Sequence, residues 1–219
     1  MEDIDAFYRQ YVPDLKHATL LWRIYKLIQA KVLERKGRGK YALGSAKPYE
    51  PFVDLPLKRL YQLLTEQFPF ATFTVWTTLW LNEWMIHQPG SFYRLVETEP
   101  EVAEAVFYFL KDRHSGVFLL PTGEVLRYYL PNEPEPIVVR HLVSQAPLLE
   151  VDEVRTASLE KILVDLFCDA ELFASFQGAE LENIFREAFR TYSVNLDRLY
   201  RYAGRRRRKE AIAQFLQTL

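Results

Sequence analysis

Several kinds of chemistry are missing from this chain. It holds one cysteine, Cys168, which excludes an internal disulfide framework and fits a reducing compartment. The neighbours Leu166 and Phe167 mark that thiol as a small apolar residue rather than a nucleophile. No apolar run approaches the ~20 residues that span a bilayer, and the N-terminus lacks the basic-then-apolar order of a secretion signal, so a cytoplasmic protein with no membrane partner is expected. His17, His87, His114 and His141 fall in four different segments without HxxxH or HExxH spacing, and no metal site is expected from them. Nucleophile motifs around serine or cysteine, a GxxxxGK(S/T) phosphate loop and a GxGxxG turn after a strand are all absent; Gly37-Arg38-Gly39 is too short to serve. Classical cofactor enzymes are therefore disfavoured, and no cofactor is implied.

What is present is strongly segregated charge. The 219 residues carry a net charge of -1, yet residues 1–47 hold ten Lys and Arg against five Asp and Glu, residues 48–200 hold 12 against 23, and residues 201–219 hold six against one. Two basic ends enclose an acidic body. A hydrophobic content of 49% is enough for a full core, and the length suits two unequal domains.

The first 43 residues carry the clearest pattern. A short helix over Ile4–Gln10, a break at Pro13-Asp14 and a longer helix over Leu15–Ala30 precede the basic, glycine-punctuated run from Glu34 to Tyr41. Leu20, Leu21, Ile24, Leu27 and Ile28 repeat at spacings of three and four, the mark of a packed face. Lys16, Thr19, Arg23, Lys26 and Ala30 form a second stripe, suited to a major groove, where Lys and Arg reach guanine edges or phosphates and Thr reaches either. Asp14 is the expected N-cap, with Pro13 blocking continuation from the preceding segment. Gly37 and Gly39 permit positive φ and hence a reversal between Val32-Leu33 and Tyr41-Ala42-Leu43. Arg35, Lys36, Arg38 and Lys40 then crowd the hairpin, where a phosphate backbone would supply counter-charge. Helix, turn, helix and basic hairpin spell a winged helix-turn-helix over residues 1–44.

Gly44 to Pro51 breaks every periodicity, giving an expected linker over 45–54 and a second domain over 55–219. Asp54 and Pro56 open a helix over Leu57–Gln67. Phe70–Trp76 and Phe92–Glu97 predict strands flanking a helix over Thr77–His87, and Thr98 with Pro100 opens an amphipathic helix through Leu110. Gly116–Leu120, Ile137–Val143 and Leu149–Arg155 predict further strands, with a helical turn over Glu124–Tyr129. From Ser158 onward helices are expected over Leu159–Cys168, Ala179–Thr191, Asn195–Tyr202 and Arg205–Leu219. The fold class is thus α/β (α+β): an N-terminal winged helix-turn-helix, then a mixed α/β domain with a helical C-terminal section.

Two further clusters bear on chemistry. Glu150, Asp152 and Glu153, with Glu160, Asp165 and Asp169, are paired carboxylates of the type that hold Mg2+ for phosphodiester or nucleotidyl transfer. Asp152 is followed by Glu153-Val154-Arg155, not by the acidic-x-Lys element of a restriction-type site, and solvated carboxylates at helix ends are the expectation. The second cluster, Arg198, Arg201, Arg205, Arg206, Arg207, Arg208 and Lys209, places seven cations within twelve residues, interleaved with Tyr200 and Tyr202. Read as helical, these arginines spread around a turn and call for an external anion or the acidic body.

The segment from Asp5-Ala6-Phe7-Tyr8 to Lys40-Tyr41, the helix Leu159-Glu160-Lys161-Ile162-Leu163-Val164-Asp165 and the closing stretch Asn195 to Arg206 together resemble AbiEi-type antitoxins, the winged-helix partners of AbiEii nucleotidyltransferase toxins. The resemblance implies an N-terminal domain that binds double-stranded DNA and represses its own operon, and a C-terminal domain that counters a nucleotidyltransferase-type toxin encoded nearby. It implies groove-reading roles for Lys16, Thr19, Arg23 and Lys26, hairpin contacts from Arg35, Lys36, Arg38 and Lys40, and structural roles for Glu160 and Asp165. One departure stands: such a domain normally has a helix ahead of the two counted here, and Met1 leaves no room for it, so the expectation is either a truncated start or another surface covering the apolar stripe Ile4, Phe7, Tyr8 and Tyr11. The expectation is a non-enzymatic regulator. A metal-dependent nuclease or nucleotidyltransferase acting through Glu150, Asp152, Glu160 and Asp165, and a protein-interaction domain without DNA affinity, are the alternatives.

Overall fold

The chain is mixed α/β. The computed structural model describes residues 2–29, 32–44 and 47–219. Helices α1 (Glu2–Tyr11) and α2 (His17–Gln29) precede an antiparallel hairpin, β1 (Leu33–Gly37) and β2 (Lys40–Leu43). Leu15, Leu20 and Ile24 form a small core with Ile4, Tyr8, Ile28 and Tyr41 packed on it. The expected apolar stripe is narrower than its spacing suggested, because Leu21 points outward and is 42% exposed. Asp14 lies in a turn three residues before α2, too early to cap it. Ala30 lies outside the described residues.

The body is a four-stranded sheet in the order β3-β4-β6-β5, from β3 (Thr74–Thr77), β4 (Arg94–Thr98), β5 (Val117–Leu119) and β6 (Ile137–His141). β3 pairs antiparallel with β4, whereas β4 and β5 run parallel to β6. Alternation along the strands serves two cores. Val75, Val96 and Val139 meet α3 (Leu55–Gln67) and α4 (Pro100–Lys111), while Trp76, Leu95 and Val138 meet the C-terminal helices. Helix α3 starts where expected because the Asp54 carboxylate accepts from the Leu57 amide at 2.8 Å.

Three differences from the sequence-based expectation have local causes. The segment Thr78–Trp84 is a 3-10 helix rather than an α-helix, with the Thr77 hydroxyl accepting from the Leu79 amide. The single strand expected over Leu149–Arg155 is a hairpin, β7 (Leu148–Val151) and β8 (Val154–Ala157). Asp152 and Glu153 both adopt positive φ, 49° and 65°, and close it in two residues without a glycine. The last helix, α8 (Lys209–Thr218), begins after Arg208 instead of at Arg205, because Arg207 sits at φ 56° and turns the chain after α7 (Leu196–Arg205).

Helices α5 (Leu159–Cys168) and α6 (Ala179–Thr191) follow the predicted limits. The stretch expected to be a linker is fastened to the body. Lys47 forms a bridge with Tyr192, Tyr49 packs on Trp84 and Tyr192, and the Trp80 indole donates to the Phe52 carbonyl at 2.9 Å; residues 45 and 46 lie outside the described residues.

Candidate nucleic-acid interface and a buried charge ring

Six of the eight N-terminal candidates are presented to solvent: Lys16, Thr19 and Lys26 around α2, and Arg35, Arg38 and Lys40 on the hairpin. The reversal itself uses only one of the two glycines, Gly39, at φ 70°. Gly37 serves differently. It is buried in β1, where a Cβ would lie 2.9 Å from Asp197 Oδ1, so its smallness permits the hairpin to approach the start of α7.

The remaining two candidates are used inside the protein. The Arg23 guanidinium lies over the Tyr8 ring, 5.2 Å from its centroid, and ties α2 to α1. Lys36 pairs with Glu34 at 2.8 Å, and the same carboxylate accepts from the Ser193 hydroxyl between α6 and α7. Glu34 and Gly37 thereby seat the hairpin on the body. Lys26 lies over Trp22, with Nζ 5.4 Å from the ring centroid, and Trp22 itself is 59% exposed.

The C-terminal cations do not form one patch. Arg206 is turned inward to Asp165, at 3.0 Å, and to Asp169. Arg205 donates to the Ser144 hydroxyl, and Arg198 stands 3.9 Å from Glu160. Arg201, Arg207, Arg208 and Lys209 are exposed. Of the two options read from the sequence, an external anion or the acidic body, Arg206 takes the second, and the turn at Arg207 separates it from the exposed arginines that follow.

Arg206 closes a ring of six charges. Lys161 bridges Glu97 at 2.5 Å and Asp165 at 2.6 Å; Arg206 joins Asp165 to Asp169; Arg140 joins Asp169 at 2.7 Å and returns to Glu97 at 3.7 Å. Three carboxylates alternate with three cations, so each charge has opposite neighbours. The Trp76 indole donates to Glu97 at 3.3 Å and the Tyr202 hydroxyl to Asp165 at 2.8 Å. Burial alone would raise the pKa of Asp165, but Lys161, Arg140 and Arg206 outweigh it and hold the carboxyl below its ordinary range. Burial pushes the Tyr202 phenol upward, and Asp165 adds to the effect.

The carboxylates read from sequence as solvated are therefore divided. Glu150, Asp152 and Glu153 are exposed along the β7–β8 hairpin. Glu160 and Asp165 are buried, and Glu160 accepts from the Ser158 hydroxyl at 2.7 Å and the Asn195 amide at 2.9 Å. Among the described residues, no three His, Cys, Asp or Glu side chains gather to hold a metal ion. Glu97 and Arg140 had no signature in the sequence; the traces of the ring were the four-residue spacing of Lys161 and Asp165 along one helix and the need of the arginine run, Arg206 included, for an external anion or the acidic body.

The architecture defines a class of protein: a small helix-and-hairpin unit with outward cations, seated on a mixed α/β body. No helix among the described residues is long and apolar enough to cross a membrane. The chain belongs to the family described as a family of unknown function (DUF6577), whose model matches residues 19–219 and so begins within α2. No curated protein matches it.

Proposed function

We propose that this protein is a cytoplasmic, non-catalytic DNA-binding regulator, the antitoxin and autorepressor of a two-gene toxin–antitoxin operon. The observation that carries the DNA-binding reading is the outward set of cations on one small unit, Lys16 and Lys26 around α2 and Arg35, Arg38 and Lys40 on the hairpin, which Glu34 and Gly37 seat on the body. Cations so arranged, with no ion pair to another of the described residues, favour a polyanion. The hairpin would lie along the phosphates while α2 enters the major groove. The antitoxin role rests on the resemblance to AbiEi-type proteins, and the exposed Arg207, Arg208 and Lys209 are available for a second backbone contact or for the toxin.

The test is a gel shift with the DNA upstream of the gene, at several salt concentrations. Replacing Lys26, Arg38 and Lys40 together with alanine should weaken binding and reduce the slope of log affinity against log salt by about 0.9 for each phosphate no longer neutralised. An unchanged affinity and slope would refute the reading. Co-expression with a nucleotidyltransferase encoded beside the gene, where one is found, tests the antitoxin role: the growth arrest caused by that enzyme should be relieved.

A further inference from the structure

The solvent face of α2 is more apolar than a phosphate-binding helix requires. With Leu20 and Ile24 buried, the residues on the opposite side of the helix turn are Ala18, Trp22 and Lys26, flanked by Leu21 and Tyr25. Trp22 is 59% exposed and Tyr25 56%, on the side of α2 turned away from the small core that Tyr8 and Tyr41 cover. An exposed apolar strip of this kind marks a contact surface.

Charge decides what covers it. From Leu15 to Gln29 the chain carries Lys16, Arg23 and Lys26 and no carboxylate. A two-fold pairing of α2 with a second copy would set these cations against their own kind, which disfavours self-association through this face. A nucleic acid matches both properties. A single strand would stack its bases on the rings, but one side of the Trp22 ring is already occupied by Lys26. With one face covered, Trp22 cannot be sandwiched between successive bases, and its exposed edge suits lateral apolar contact, the kind a thymine C5-methyl offers in the major groove, with Ala18 keeping the helix close to the base edges.

Resting on the DNA-binding reading, we infer that Trp22, supported by Tyr25, is a specificity-determining residue that packs against thymine methyl groups, so that the sequence faced by α2 is rich in A·T pairs. Thr19 and Lys26 flank the contact and supply hydrogen bonds to the same groove.

The experiment is fluorescence anisotropy on the full chain. It uses a short duplex of alternating dA·dT steps closed by dG·dC ends, the same duplex with deoxyuridine for thymidine, and a single strand of dT. Deoxyuridine removes the methyl groups and leaves every hydrogen-bonding group in place. Wild type should bind the thymidine duplex about fourfold tighter for each methyl group buried. Trp22→Ala, a change at an exposed position, should bind both duplexes equally, while Arg38→Ala should weaken both by one common factor and keep their ratio. Equal binding of the two duplexes by wild type would overturn the inference and leave DNA binding standing. A preference that survives in Trp22→Ala, or tighter binding to the dT strand than to either duplex, would also overturn it. Failure to bind any of the three at low salt would sink the DNA-binding reading itself.

Discussion

Replacing Asp165 with asparagine removes one charge from the ring and almost no volume. Asp165 accepts from Lys161, Tyr202 and Arg206, and it is fully buried. The variant leaves three cations facing two carboxylates, with Lys161 and Arg206 sharing the deficit. Breaking a buried pair by removing one partner costs about 3–5 kcal/mol. For a chain of this size each kcal/mol lowers the melting temperature by about 2–4 °C, so thermal unfolding followed by circular dichroism should show a drop of roughly 6–20 °C. The counterpart Lys161→Met should also destabilise, because Glu97 and Asp165 then lose the ammonium between them. Combining the two restores equal numbers of each sign, and the double variant should lose less than the summed single effects, by about 0.5–3 kcal/mol. Strict additivity, or an Asp165→Asn shift below about 1 °C, would refute the account of the ring as a coupled unit. Acid provides the second test of the same residue. The pKa of Asp165 is lowered on folding, so its contribution is complete above the unfolded value of about 3.9 and is lost as pH falls through the folded value. Wild type should therefore lose stability below about pH 4 more steeply than Asp165→Asn.

Two further outcomes follow from local geometry. Gly116 sits at φ 63°, and a Cβ there would lie 2.7 Å from Glu133 Cγ and 2.8 Å from Glu133 Cβ. Gly116→Ala combines left-handed strain with overpacking and should cost about 3 kcal/mol by urea denaturation; a neutral result would show that the loop before β6 moves freely out of the way. Burial pushes the Cys168 thiol up to about 11. Its alkylation by iodoacetamide at pH 8, followed by mass spectrometry, should be on the order of a hundredfold slower in the folded chain than in urea, and equal rates would contradict the burial argument.

The helical parts were the most legible in the sequence. Helices α5 and α6 lie at the limits expected for them, α5 opened by Ser158, and α3 by the Asp54 cap. Strand positions were found, but their pairing was not. The β7–β8 reversal escaped because Asp152 and Glu153 adopt positive φ without the glycine or asparagine that signals such turns. The same kind of event at Arg207 hid the end of α7 and divided the arginine run into one inward and several outward side chains. Among the interface candidates, exposure was anticipated for most; Arg23 and Lys36 are drawn inward by partners, Tyr8 and Glu34, that spacing alone does not identify. The charge ring was illegible for a deeper reason. Glu97, Arg140, Lys161, Asp169 and Arg206 come from β4, β6, α5 and the segments after α5 and α7, and only tertiary packing makes them neighbours.

The socket that Gly37 and Glu34 find beside Asp197 and Ser193 limits how this protein can be taken apart or rebuilt. A fragment ending after the hairpin would keep both of its helices yet forfeit the surface against which β1 is aligned, so its affinity for any ligand would describe a different object from the intact chain. The same constraint acts on inheritance. A head of this kind cannot be exchanged between bodies as a free cassette, because the receiving body must carry a matching notch at the start of its penultimate helix.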